Sequence, residues 1–147
     1  MTNPIEWLAT ALALLALTGC GKEVGRLPFS SEGRKSTVLA LSPGDVAFWT
    51  DLDIQYEGVA AADYHIDLSQ AGHSVATAVC DPLGPMSVQL GWLETQHSAK
   101  RSKSGRGEMT CSATLAKGGP TTVEVTLAFR SKPAVLALSK ADLVVKQ

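Results

Sequence analysis

From Ser36 onward the chain alternates apolar and polar residues in short runs cut by turn residues, and no long segment after Cys20 carries helical spacing. A period of two sends successive side chains to opposite faces of a pleated strand. Strands are therefore expected near 36–41, 45–57, 63–69, 74–80, 86–96, 108–116, 121–130 and 134–146. The breaks between them are Ser42-Pro43-Gly44, Gly58, Gln70-Ala71-Gly72, the stretch 81–85 (DPLGP), Gly118-Gly119-Pro120 and Lys132-Pro133. This spacing predicts an all-β fold over residues 36–147, an antiparallel β-sandwich of about 7–8 strands.

The same alternation assigns faces. Phe48, Leu52, Ile54 and Tyr56 share one side of their strand, as do Tyr64, Ile66 and Leu68 in the next. Val88, Leu90 and Trp92 continue the pattern, followed by Met109, Cys111, Ala113 and Leu115, then Val123, Val125, Leu127 and Phe129. These sets are expected in the core. Trp49 is the only aromatic whose alternation places it on the outer face, beside Asp51 and Asp53, which makes it a candidate ligand-stacking residue.

The N-terminal segment constrains location. Residues 7–19, WLATALALLALTG, are thirteen residues without a charge. That is too short for a helix to cross ~30 Å of hydrocarbon, which needs about 20 residues. It matches the apolar region of a secretory signal, so residues 1–19 are expected to form a signal helix. The segment ends in Leu17-Thr18-Gly19-Cys20, which resembles the lipobox of bacterial lipoproteins. The resemblance implies cleavage before Cys20, acylation of its sulfur, and attachment to a membrane by two or three acyl chains. Gly21 in the next position resembles an outer-membrane address, which places the domain in the cell envelope, facing the periplasm or the surface. Residues 20–35 are polar, contain Gly and Ser, and show no apolar period, so they read as a flexible tether.

With Cys20 assigned to lipid, Cys80 and Cys111 remain as an even pair in an exported chain, and a disulfide is the expected state. No Cys-x-x-Cys occurs, and His65, His73 and His97 are scattered, so neither a redox pair nor a zinc site is expected.

The charges exclude some partners and raise one electrostatic question. Thirteen basic and fourteen acidic residues balance, which argues against nucleic acid. Their placement is uneven: residues 36–99 hold eight acids and no Lys or Arg, whereas residues 100–147 hold nine basic residues against three acids. If strands 45–57 and 63–69 form a hairpin through 58–62, Glu57 faces Asp63, Gln55 faces His65 and Asp53 faces Asp67, with Asp51 in the same row. Like charges opposed across a ladder destabilise it, so something must compensate. Three options are a neighbouring basic strand (through Arg130, Lys132, Lys140 or Lys146), plain solvation, and a hard cation such as Ca²⁺ on Asp51, Asp53 and Asp67. Residues 98–107, with four positive charges and no aromatic, read as a long mobile hairpin tip or a contact for anionic envelope material.

One catalytic pattern is present in part. Gly72-His73-Ser74-Val75-Ala76 approaches the Gly-x-Ser-x-Gly elbow, and Asp81 and His97 follow in chain order. The elbow lifts its serine on a strand-to-helix turn, whereas Ser74 opens a strand pattern. The expectation is therefore a lipid-anchored, non-catalytic β-sandwich that binds an envelope protein or glycan, without a cofactor. A small-ligand module for carbohydrate or Ca²⁺ is the first alternative, and a serine hydrolase through Ser74 the second.

Overall fold

The computed structural model describes residues 21–147, so the expected signal helix over 1–19 and the expected lipidation at Cys20 lie outside the described residues. The strands are β1 (Glu23–Leu27), β2 (Gly33–Leu41), β3 (Gly44–Glu57), β4 (Ala61–Gln70) and β5 (His73–Cys80). They continue as β6 (Met86–His97), β7 (Lys100–Leu115), β8 (Gly119–Ser131) and β9 (Leu136–Lys146). All pair antiparallel, in one sheet of order β1-β9-β3-β7-β6 and a second of order β2-β8-β4-β5. The two sheets face each other across the core, which is the expected sandwich.

The core is built from the inner faces that alternation assigns to β3, β4, β7 and β8. Phe48, Leu52, Ile54 and Tyr56 of β3 pack against Tyr64, Ile66 and Leu68 of β4 and Val123, Val125 and Leu127 of β8. One polar pair crosses this interior: Thr50 Oγ1 and Tyr64 Oη lie 3.0 Å apart, joining β3 of one sheet to β4 of the other. Burial pushes the Tyr64 phenol above its ordinary pKa, so it stays neutral and able to donate.

Four expectations are corrected. Strands β3 and β4 do not form a hairpin. The chain turns at Gly58 (φ 95°) into the opposite sheet, and β3 pairs with β7 and β9 instead. In the observed register the basic half of the chain lies beside the acidic strand, Glu57 facing Lys100, Asp51 facing Arg106 and Asp53 facing Lys140, while Asp51 also faces Asp142 and Asp67 of β4 faces Glu124 of β8.

Second, residues 20–35 are not a tether within the described range. β1 and the start of β2 fall there, and Leu27 and Phe29 are buried. Two apolar residues in so short a segment leave no period to read. Backbone bonds close the edge even earlier, Lys22 N–H donating to Gln147 O and Gln147 N–H to Lys22 O, both at 3.0 Å.

Third, residues 98–107 are not a long loop. The turn is Ser98-Ala99, and β7 runs unbroken from Lys100. Its glycines serve packing. A Cβ at Gly105 (φ 132°) would stand 2.6 Å from Gly91 O, where the β6 backbone bulges toward it.

Fourth, that bulge, between Leu90 and Leu93, breaks the face assignment of β6. Val88 and Leu90 point outward and are exposed, while Trp92 alone turns in and packs against the core.

Cys80 at the end of β5 and Cys111 in β7 form the expected disulfide, with Cα atoms 5.4 Å apart, and it links the two sheets. The bond joins residues 31 apart. In the chain-entropy account that constrains the unfolded chain by roughly 3–4 kcal/mol. The Cys80→Ala/Cys111→Ala protein is expected to melt at least ~10 °C lower by scanning calorimetry. Tyr64→Phe, which strands a buried Thr50 hydroxyl, is expected to cost about 1–2 kcal/mol in urea unfolding.

Candidate functional site

The outer face of the five-stranded sheet carries Trp49, Asp51 and Asp53, three of the residues singled out in the sequence. Directly opposed residues share a face, so the register lays out rows across it. One row runs Arg26–Val144–Trp49–Glu108–Val88 through all five strands. The next runs Asp142–Asp51–Arg106–Leu90, and a third Lys140–Asp53–Ser104–Leu93.

Asp51 and Asp142 are thus opposed across the β3–β9 ladder, and they are only 8% and 7% exposed. Two carboxylates so placed repel each other and lose hydration. Arg26 of β1 resolves this: its Nη1 donates to Asp51 Oδ2 at 2.9 Å and to Asp142 Oδ2 at 3.0 Å. Lys140 Nζ donates to the same Asp51 oxygen at 3.3 Å, and Arg106 Nε stands 3.6 Å from it. Nη2 of Arg26 also donates to Glu23 at 2.9 Å. Burial pushes the Asp51 carboxyl up, but the bonds from Arg26 and Lys140, with the charge of Arg106, outweigh it and hold the group below the usual carboxylate range. Glu23 is held low too, chiefly by its bond from Arg26.

The compensation anticipated for the acidic strand is therefore a set of cations. Of the four expected, only Lys140 takes part at Asp51; Arg26 and Arg106 do the rest. Arg130 pairs with Asp63 at 2.7 Å and Asp81 at 3.2 Å, and Lys132 with Glu32 at 3.5 Å. Arg26 could be found from the sequence only by recognising β1, which the short segment 23–27 does not advertise.

The three weak metal candidates are not brought together. Asp51 is enclosed by cations, Asp53 faces Ser104 and Lys140, and Asp67 lies in the other sheet, where it accepts a bond from Ser74 Oγ at 2.5 Å. Among the described residues, no three His, Cys, Asp or Glu side chains are grouped to hold an ion.

The Ser74, Asp81 and His97 set is likewise dispersed. Ser74 lies on β5, Asp81 accepts from Leu83 N–H at 2.8 Å and from Arg130, and His97 ends β6 in the opposite sheet.

Trp49 occupies the outer face as its alternation requires, yet it is only 6% exposed. Lys146 Nζ lies 3.8 Å from the ring centroid, so the indole face is already occupied by a cation rather than open for stacking. Beside it is a groove of about 290 Å³ lined by Gly21, Ala47, Trp49, Val88, Leu90, Glu108 and Lys146. A smaller groove of about 150 Å³ adjoins it, lined by Arg26, Arg106, Lys146 and Glu23 among others.

No protein family model matches this chain, and comparison with curated proteins and with solved structures finds no match.

Asp51 titrates in the folded protein below its unfolded value of about 3.9, so its contribution is full above that pH and is lost as pH falls through the folded value. Asp51→Asn is expected to destabilise by about 1–3 kcal/mol near neutral pH, with the gap from wild type closing as pH falls through the lowered folded-state pKa. Urea titrations across that range check this; a gap independent of pH would contradict it. Arg26→Gln is expected to cost at least as much, because it leaves Asp51 facing Asp142 with only the more exposed cations.

Proposed function

We propose that this chain is a lipid-anchored protein of a bacterial envelope whose β-sandwich acts by binding or bracing rather than by catalysis. The observation that carries the reading is Leu17-Thr18-Gly19-Cys20 at the end of thirteen uncharged residues. A thiol there supplies the soft nucleophile that thioether formation needs, and the small side chains before it suit a narrow signal-peptidase site. Two or three acyl chains hold a protein at a membrane where one does not. Gly21 favours the outer membrane, and the partner is an envelope protein or glycan.

Other features support this reading. A disulfide between the sheets suits an oxidising compartment. The hydroxyl of Ser74 is engaged by Asp67, and the two other members of a triad are paired elsewhere or lie in the other sheet, which favours binding over serine chemistry. The covered ring of Trp49 and the cation-enclosed Asp51 weigh against the carbohydrate and Ca²⁺ alternatives at those residues.

Expression of the full chain in a bacterial host, with Cys20→Ala beside it, tests the reading by intact mass of the envelope fraction. The expected mass is that of residues 20–147 plus acyl chains, less two hydrogens for the Cys80–Cys111 bond. An uncleaved, unlipidated chain with three free thiols would overturn it. Labelling of wild type but not Ser74→Ala by a fluorophosphonate probe would overturn the non-catalytic part.

A further inference from the structure

The groove at Gly21 has an unusual setting for an apolar surface. Val88 and Leu90, 39% and 52% exposed, stand on the outer side of β6, an edge strand, and Leu93 at 60% extends the same stripe. Edge strands normally carry lysine, proline or inward-pointing charge that discourages contact. Between Met86 and Gln96, β6 carries a single charged residue, Glu94, and no proline or lysine. The stripe is continuous with Trp49 and Ala47 through the groove, and Gly21 forms part of the groove wall.

Gly21 also immediately follows Cys20, and the domain begins there without slack. Lys22 is bonded in both directions to Gln147, and β1 starts at Glu23. Consecutive Cα atoms are ~3.8 Å apart, so an acylated Cys20 sits one residue from the groove. The headgroup layer on each side of a bilayer is only about 5–8 Å deep. An anchor with no tether thus holds this end of the sandwich within the headgroups. Beside the carboxylates Glu23 and Glu108, the side chains gathered there include the long cationic stems of Lys146 and Arg106 and the aliphatic groups of Val88 and Leu90, with the indole of Trp49 beneath Lys146 and Arg26 held by its three carboxylates.

We propose that the Trp49–Val88–Leu90 groove, rimmed by Lys146, Arg106 and Arg26, is the face that docks onto the lipid surface once Cys20 is anchored. The inference rests on the lipid-anchor reading and adds an orientation to it. Val88 and Leu90 meet the upper acyl region, Lys146 and Arg106 reach the phosphates while Arg26 stays on Asp51, Asp142 and Glu23, and the opposite sheet, with β5 at its edge, is turned away to meet partners. The exposed apolar edge of β6 then has a function as a contact with lipid.

Hydrogen exchange read by mass spectrometry on the full, lipidated chain tests this, in vesicles of phosphatidylethanolamine with a minority of phosphatidylglycerol. Peptides covering 86–91 and 144–147 are expected to exchange about tenfold more slowly in vesicles than in the same protein released in detergent, with 73–80 unchanged. Val88→Glu/Leu90→Glu is expected to keep its acyl mass and its circular dichroism while losing that protection.

Four outcomes overturn the proposal. Protection on 73–80 instead would place the membrane at the other sheet and leave the anchor reading intact. Protection that rises with protein concentration at constant lipid would assign the stripe to a second copy. Equal exchange everywhere would mean that no face docks. An unlipidated mass would remove the anchor reading, and this inference with it.

Discussion

Asp51 and Asp142 face each other across the β3–β9 ladder, nearly buried, and the pairing persists because one guanidinium reaches both. Two carboxylates on adjacent strands are unfavourable unless cations offset both the repulsion and the lost hydration. Arg26 can do this only if residues 23–27 lie alongside β9 as a strand. The ion network and the recruitment of the N-terminal segment into the sheet are therefore one event. Lys140 and Arg106, from β9 and β7, close the cluster from the other sides.

That recruitment has a positional consequence. With β1 paired to β9, Gly21 and Gln147 meet at the same edge, beside the groove that holds Trp49 and Lys146. Gly21 is thereby fixed against this surface by the Lys22–Gln147 backbone bonds. The disulfide fixes a second relation, tying β5 of the smaller sheet to β7 of the larger, so the two layers keep their facing sides through local opening.

The inner faces of β3, β4 and β8 were legible in the sequence because a strand that buries one face must alternate: Tyr64 to Leu68 and Val123 to Leu127 do so unbroken, and in β3 Phe48, Leu52, Ile54 and Tyr56 keep the phase around the buried Thr50. The disulfide was legible as an expectation, because reading Cys20 as an anchor leaves Cys80 and Cys111 as an even pair. The lysine- and arginine-rich start of β7 was hidden, since a strand whose side chains are mostly solvated carries no apolar period. The outward turn of Val88 and Leu90 was hidden as well. A bulge at Gly91 shifts the phase of β6 by one residue, and a phase shift looks the same as continued alternation until a partner strand is in place.

The sequence by itself determined that this chain is all-β, that its sheets have these inner faces, and that Cys80 and Cys111 pair; each follows from local chemistry repeated along the chain. Which strands are neighbours was decided only by tertiary structure. With β4 in the other sheet, β7 and β9 bring Lys100, Arg106 and Lys140 to the acidic strand, and the carboxylates that remain opposed, Asp51 with Asp142, are bridged by Arg26. Charge pairing acts between residues far apart in the chain, so no local pattern records it. The outer face, with its enclosed Asp51 and its covered Trp49 on the central strand, follows from those long-range pairings.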